Sequence, residues 1–183
     1  MQFHNLHVAV IATDGFEESE LTEPVRALKE AGADVEILAP KSGQIQAFRH
    51  HDKGSLVSVD RTLDDAKPDA YDALLLPGGG LNADALRVLP QVQAFVQHMQ
   101  KAGKPIAFIC HAPWILVSAG LVRGRTLTSY HTIQDDIRNA GGDWVDQEVV
   151  VDDNWVTSRK PDDIPAFNRE MLNLFSRLAP ARA

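Results

Sequence analysis

The chain has 183 residues, and 18 Lys and Arg against 25 Asp and Glu give it a formal net charge of −7. Its apolar fraction of 44% and charged fraction of 23% are ordinary for a globular protein, and the length predicts one domain over residues 1–183. The negative charge disfavours nucleic acid and anionic membrane surfaces as partners, and we expect neither a membrane span nor a signal peptide.

The first part of the chain alternates between short apolar runs and segments of helical periodicity. Residues 8–12 form a continuous apolar run, which is typical of a strand buried on both faces. The apolar spacing that follows predicts a helix ending at Gly32, with a bend or a restart at Pro24 because proline lacks the amide hydrogen. Residues 35–39 are the second predicted strand.

The middle of the chain contains a hairpin pattern and two further buried strands. Residues 45–48 and 56–59 flank a polar loop and predict a peripheral hairpin. Residues 73–76 and 106–109 are apolar throughout and predict buried strands. Between them, apolar residues at the spacing i, i+3, i+4 and i+7 predict a helix over 92–99.

The last third of the chain continues the alternation. The predicted elements are a short buried helix at 114–117, a strand at 126–128, a helix at 133–140, a hairpin of 149–151 with 155–157, and a final helix over 167–178. Strands buried on both faces that alternate with helices indicate a mainly parallel sheet covered on both sides. The sequence therefore predicts an α/β protein with a three-layer α/β/α sandwich.

Four polar or glycine-rich segments follow predicted strands. They are residues 15–20, 78–80, 110–111 and 130–131. Because the carboxyl ends of parallel strands meet at one edge of the sheet, we expect these segments to form one crevice there.

The single cysteine, Cys110, lies between a predicted strand and a predicted helix. At a helix start the positive end of the helix favours thiolate over thiol, and a sharp strand-to-helix turn exposes the side chain beside free amides. The alternative is a buried structural cysteine. Since a lone cysteine cannot form an internal disulfide, it favours a reducing cytoplasm.

The glycines at 78–80 follow a strand and have two interpretations. They form either a tight turn or a loop whose amides bind an oxyanion near the nucleophile. No Gly-Lys-Ser/Thr follows, so the segment is not a Walker phosphate loop.

The segments 15–20, 76–79, 109–113 and 129–131 together resemble the signatures of the ThiJ/PfpI superfamily, in particular its PfpI-like intracellular protease and bacterial stress-protein branch. The resemblance extends from about residue 7 to residue 178. It implies a flavodoxin-like sandwich, similar to class I glutamine amidotransferases, that forms a homodimer or larger homo-oligomer and holds its cysteine in a strained elbow.

The resemblance also assigns roles to residues. Cys110 matches the nucleophile, and Glu20 matches the carboxyl group that hydrogen-bonds its sulfur. An ionised carboxylate there would oppose thiolate formation, so we expect Glu20 to be protonated and to donate to sulfur or to a sulfinate. From the residues alone, the preferred interpretation of Glu20 is a carboxylate that stabilises a helix start.

The remaining predicted site residues carry alternatives of their own. His111 matches the histidine that pairs with the nucleophile, and Asp84 matches an acid that reaches across the dimer, although it is also a suitable N-cap for residues 85–87. His131 matches a second histidine near the cysteine, or is a surface residue. Gly78, Gly79 and Ala112 are expected to line the pocket, and Ala112 stands where the family usually has glycine.

Three functions remain open, all through Cys110. The first is attack on a reactive carbonyl by a glyoxalase or deglycase route, and the second is hydrolysis of short peptides by a triad of Cys110, His111 and Asp84. The third is a non-enzymatic redox sensor or chaperone that responds to cysteine oxidation. We expect no cofactor, because attack of a cysteine on a carbonyl needs none, and no metal, because the other histidines show no ligand spacing with a carboxylate.

Overall fold

The computed structural model describes residues 2–178. Its middle layer is a seven-stranded sheet in which neighbouring strands run parallel, except for one antiparallel pair at an edge. In spatial order the strands are β11 (Val150–Asp152), β12 (Trp155–Ser158), β8 (Ile106–Ile109), β7 (Ala73–Leu76), β1 (His7–Ile11), β3 (Asp34–Ala39) and β6 (Arg61–Thr62). The antiparallel pair is β11 with β12.

Helices cover both faces of this sheet. They are α1 (Glu18–Glu30), α2 (Gly80–Arg87), α3 (Pro90–Lys101), α4 (Pro113–Ser118), α5 (Gln134–Asn139) and α6 (Ile164–Leu178). Successive side chains of a strand point to opposite faces, so each central strand contributes to two separate apolar clusters. One cluster contains the buried side chains of α1 and α6, and the other contains those of α2, α3, α4 and α5. The predicted three-layer α/β/α sandwich is confirmed.

None of the helices within residues 2–178 combines the length and the apolar character needed to cross a bilayer.

A second, smaller sheet lies beside the amino-terminal end of α1. It contains β2 (Phe16–Glu17), β4 (Gln44–Arg49) and β5 (Asp52–Ser58), with β4 and β5 antiparallel as the predicted hairpin requires. Two consecutive carboxylates hold this hairpin against α1. Glu17 accepts a hydrogen bond from the His50 amide at 3.0 Å, and Glu18 accepts from Arg49 at 2.9 Å and from the Ser55 amide at 2.6 Å.

The structure refines three local predictions. Helix α1 runs without a break through Pro24, because proline removes only the amide that would bond the Glu20 carbonyl, and burial of the helix against the sheet holds the rest. The strand predicted at 126–128 is β9 (Thr126–Leu127), which pairs with β10 (Asp143–Trp144) outside the central sheet. Helix α2 begins at Gly80, so Asp84 lies inside a helix and is not the N-cap of residues 85–87.

Candidate active site

A cleft of about 930 Å³ opens at the carboxyl edge of the central sheet. All four segments predicted to meet there contribute to it, through Gly15, Glu17, Glu20, Gly79, Gly80, Cys110, His111 and Tyr130. The hairpin adds Phe48, His50 and His51, helix α2 adds Leu81 and Asp84, α4 adds Trp114, the turn after Tyr130 adds Thr132, and the loop after β12 adds Lys160, Pro161 and Asp162. The predicted crevice is therefore present.

Cys110 occupies a strained turn between β8 and α4. Its φ of 64° lies in the left-handed region, which a non-glycine residue adopts only when its surroundings hold it. Two backbone bonds do so, because the Cys110 amide donates to the Ser158 carbonyl at 3.0 Å and its carbonyl accepts from the Tyr130 amide at 2.8 Å. The residue is only 6% exposed. A substrate therefore reaches the Cys110 sulfur through the cleft.

Glu20 is fully buried beside this turn. Its Oε2 accepts the Gly78 amide at 2.9 Å, and the Cys110 sulfur lies within hydrogen-bonding reach of the carboxyl group. Its Oε1 is buried and has no well-aligned hydrogen-bond partner among the described residues. Burial, with the charge of Glu17, raises the pKa of Glu20 to about 8. The carboxyl group is therefore neutral at pH 7, as the sequence-based hypothesis required.

The two glycines before α2 are required by close approach. A Cβ on Gly78 would lie 2.6 Å from the Cys110 Cβ and 2.8 Å from the Ile109 carbonyl oxygen. Gly79 has a φ of 95°, which glycine adopts without strain. Their amides differ in use, since Gly78 donates to Glu20 whereas Gly79 and His111 donate toward the sulfur. The amides that reach the sulfur are therefore those of Gly79 and His111, whereas the Gly78 amide is bonded to Glu20.

The thiolate expected at Cys110 differs from what the structure favours. Burial raises the pKa of the Cys110 thiol, and charge on Glu20 raises it further, against the opposing effect of the Gly79 and His111 amides. The sequence-based argument relied on the dipole of the following helix, but α4 has only six residues. A resting thiol therefore needs a base to remove its proton during attack.

His111 is placed to be that base. Its Nδ1 lies 3.1 Å from the Cys110 Sγ. Its ring stacks on Tyr130, with centroids 4.7 Å apart and planes inclined by 25°, and meets the edge of Trp114. Burial, with the charge of His131, lowers the pKa of His111, so the imidazole is neutral at pH 7 and can accept a proton. The predicted contact between these adjacent residues is present.

The structure does not bring the other predicted residues to the sulfur. Asp84 is exposed at the mouth of the cleft, and no bond joins it to His111 within the described chain. His131 is exposed, with its ring 4.6 Å from that of Tyr130, and does not line the cleft. Ala112 is fully buried in the apolar cluster on the opposite face, with an ordinary φ of −56°, so its methyl group cannot narrow the pocket.

Sequence reasoning missed several residues of the cleft wall. Phe48 and His50 come from the hairpin, and Thr132 and Lys160 come from two loops. The hairpin itself was predicted, but only its docking onto Glu17 and Glu18 directs it toward the cleft. Thr132 follows the motif at 129–131 by one residue and could have been included on that ground.

A buried thiol in a strained strand-to-helix elbow, with a neutral imidazole and a neutral carboxyl group against it, defines an α/β protein of the cysteine-nucleophile class. Residues 6–174 match the model of the DJ-1/PfpI family. The chain belongs to this family.

Named relatives and solved structures agree with this assignment. Deglycase TK1284 of Thermococcus kodakarensis is 44% identical over 92% of this chain and 99% of its own length. General stress protein 18 of Bacillus subtilis is 43% identical over 93% of this chain and 98% of its own length. The crystal structure of Drosophila melanogaster DJ-1beta superposes with a TM-score of 0.85 at 28% identity, over 96% of this chain and 91% of the other.

Proposed function

We propose that this chain is a cysteine-dependent enzyme that removes reactive carbonyl groups, such as those of dicarbonyl compounds or of their adducts on amines. The observation that carries the proposal is the 3.1 Å contact between the Cys110 Sγ and the Nδ1 of a neutral His111. The names of the relatives support it, since a deglycase matches almost the whole chain. The cleft of about 930 Å³ accommodates a small carbonyl compound or the end of a modified side chain.

The chemistry needs no group beyond the chain and water. The Cys110 sulfur bonds to the carbonyl carbon as its proton moves to Nδ1 of His111. The carbonyl π bond breaks, and its electron pair stays on the oxygen as an alkoxide. The protonated His111 then returns the proton to this alkoxide. The product is a hemithioacetal. With a dicarbonyl substrate, the C–H proton of the hemithioacetal moves to the neighbouring carbonyl carbon and its hydroxyl proton moves to that carbonyl's oxygen, which gives a thioester. Water then hydrolyses the thioester to a hydroxy acid and the free thiol.

The neighbouring groups stabilise charge along this route. The Gly79 and His111 amides point at the sulfur and are placed to stabilise negative charge there or on the new alkoxide. Glu20 is mainly neutral below its pKa of about 8, so at pH 7 it adds little repulsion to the attacking sulfur. Negative charge therefore develops beside two amide donors and a neutral Glu20.

A redox role is the second candidate, and one observation favours it. A neutral Glu20 has a proton to donate, and its Oε1 is buried without a well-aligned partner beside the only sulfur of the cleft. Such a donor would stabilise a sulfinate formed by peroxide. Peptide hydrolysis by a triad of Cys110, His111 and Asp84 has less support, because no hydrogen bond joins Asp84 to His111 within the described chain, and the Asp84 carboxylate would have to reach across the dimer to complete the triad.

The test uses the wild-type protein, because Cys110 is its sole cysteine. Purified protein should clear methylglyoxal with formation of lactate, and prior alkylation by one equivalent of iodoacetamide should stop the clearance. The Cys110→Ala variant should match the alkylated protein. Clearance that survives both treatments would contradict the proposal. A protein that clears no carbonyl but accumulates a two-oxygen adduct with peroxide would favour the redox role.

We also propose a homodimer in which the partner copy covers the mouth of the cleft. Leu81, Asp84 and Val88 follow the spacing i, i+3 and i+7, and the two apolar side chains are 65% and 67% exposed. A second copy docked there would bury both side chains. Residence in the cytoplasm and a single domain over 1–183 stay predictions from the sequence.

The dimer is tested by light scattering at micromolar concentration. Wild type should have twice the mass of the chain, and Leu81→Asp should shift it toward the monomer because burying a charge in an apolar interface is costly. Leu56→Asp is the matched control, since Leu56 is 56% exposed and lies on β5, not on α2. A monomeric wild type, or equal effects of the two variants, would refute this interface.

A further inference from the structure

The histidine of a Cys–His pair must be in one defined tautomer, in which the nitrogen facing the sulfur carries no hydrogen and the other nitrogen carries it. Nδ1 of His111 can take the proton of Cys110 only if Nδ1 carries none in the resting state. The neutral ring must then carry its proton on Nε2. An acceptor near Nε2 stabilises this form, and triads commonly use a carboxylate for the purpose.

Within the described chain, the group at Nε2 is a hydroxyl. The Thr132 Oγ1 lies 3.5 Å from Nε2, on the opposite side of the ring from the sulfur. Asp84 makes no bond to the ring. At 3.5 Å the contact is at the long limit for a hydrogen bond, and hydrogen bonds of catalytic groups commonly shorten in the complex with substrate.

Other contacts fix where Nε2 points. Tyr130 covers one face of the His111 ring, and Trp114 meets it at an angle of 63°. Thr132 follows in the 3-10 turn His131–Ile133, whose start is tied to Cys110 through the bond from the Tyr130 amide to the Cys110 carbonyl. One short segment thus supplies both the stacking ring and the hydroxyl, in fixed relation to the nucleophile.

We propose that Thr132 is a positioning residue for His111, whose hydroxyl accepts the Nε2 hydrogen and so holds the tautomer in which Nδ1 can receive the Cys110 proton. The proposal rests on the proposed function for its place in carbonyl chemistry. Its core, the activation of the thiol by an oriented imidazole, holds for any electrophile that Cys110 attacks.

The hydroxyl also has a predictable effect on the titration of His111. An acceptor bonds more strongly to the charged ring than to the neutral one, so loss of the hydroxyl lowers the pKa of His111 and moves the acid limb of the rate profile to lower pH. The titratable groups nearest the ring are Cys110, Tyr130 and His131. Farther groups in the same cleft are Glu17, Glu20, His50, His51, Asp84, Lys160 and Asp162. A substitution at Thr132 changes none of these.

The experiment compares Thr132→Val, which removes the hydroxyl at nearly constant shape, with Thr132→Ser, which keeps it. Thr132 is exposed, so both variants should unfold at the wild-type temperature. With methylglyoxal, we expect Thr132→Val to lower kcat about three- to tenfold with little change in KM. Its acid limb should move to lower pH, and Thr132→Ser should restore both kcat and the limb.

Alkylation of Cys110 by iodoacetamide gives a readout that needs no carbonyl substrate. The Thr132→Val variant should react about three- to tenfold more slowly at neutral pH, and Thr132→Ser should react as wild type does. Equal alkylation and equal kcat in wild type and Thr132→Val would overturn the proposal. So would a Thr132→Ser variant as slow as Thr132→Val, since the methyl group would then be the part that matters. If wild type clears no carbonyl, the alkylation comparison still decides the role of Thr132.

Discussion

The Glu20→Gln variant should be more stable than wild type at pH 8, by an amount that shrinks toward zero at pH 4 to 5. The folded pKa of Glu20 is raised from 4.5 to about 8, so between these values the folded protein holds a proton that the unfolded chain releases. Stability from this group is therefore complete below the unfolded pKa and is lost as pH rises through the folded one. The loss amounts to about 4 kcal/mol by pH 8. Glutamine has the same shape and no ionisation, so it avoids the loss.

Urea unfolding of both proteins across this pH range measures the effect. Glu30→Gln is the matched control, because Glu30 ends the same helix but is exposed, and a surface pair contributes little. His111, whose pKa is lowered, titrates in both proteins and cancels in the comparison. Parallel stability curves for wild type and Glu20→Gln would show that Glu20 is ionised in the folded protein.

The Gly78→Ala variant should lose about 2 to 4 kcal/mol of stability and more than tenfold in the reactivity of Cys110. The new methyl group would meet the Cys110 Cβ and the Ile109 carbonyl, neither of which ends a flexible side chain, and the Glu20 carboxyl group, which is buried and bonded to the Gly78 amide. At least one of these three groups must shift, and any such shift alters the surroundings of the Cys110 sulfur. Chemical denaturation and the rate of alkylation by iodoacetamide measure the two losses.

Gly80 provides a control in the same loop. It has no positive φ, and a Cβ there would meet only His111 at 3.9 Å, which is ordinary contact. Because Gly80 begins α2, an alanine should leave stability unchanged or raise it by a few tenths of a kcal/mol to about 1 kcal/mol. If the Gly78→Ala protein is as stable as Gly80→Ala, the turn at Cys110 accommodates a methyl group for which the structure shows no space.

The central architecture could be predicted because its signals are local. Continuous apolar runs such as residues 73–76 and 106–109 become strands buried on both faces, and the rule for strand ends then places Cys110 at the correct edge. The resemblance of short motifs to a known family supplied Glu20 and His111 as partners. Both lie against the sulfur in the structure.

What failed depended on distant contacts. The resting thiol could not be predicted, because the burial that raises the pKa of Cys110 comes from segments far along the chain. The use of the Gly78 amide by Glu20 depends on a contact across 58 positions. Likewise, the position of the hairpin beside the cleft depends on hydrogen bonds from the start of α1 to residues more than 30 positions away. Local periodicity carries no information on such pairings.

The start of α1 holds neighbouring carboxyl groups in opposite ionisation states. The pKa of Glu18 is lowered, chiefly by the Ser55 amide and Arg49, whereas that of Glu20 is raised to about 8. Low pH therefore protonates Glu18 and weakens its bonds to Arg49 and Ser55 of the hairpin, and high pH ionises Glu20 beside the Cys110 sulfur. The first turn of α1 therefore sets both pH limits. Glu18 must be ionised to hold the hairpin, and Glu20 must be protonated to leave the sulfur beside an uncharged group.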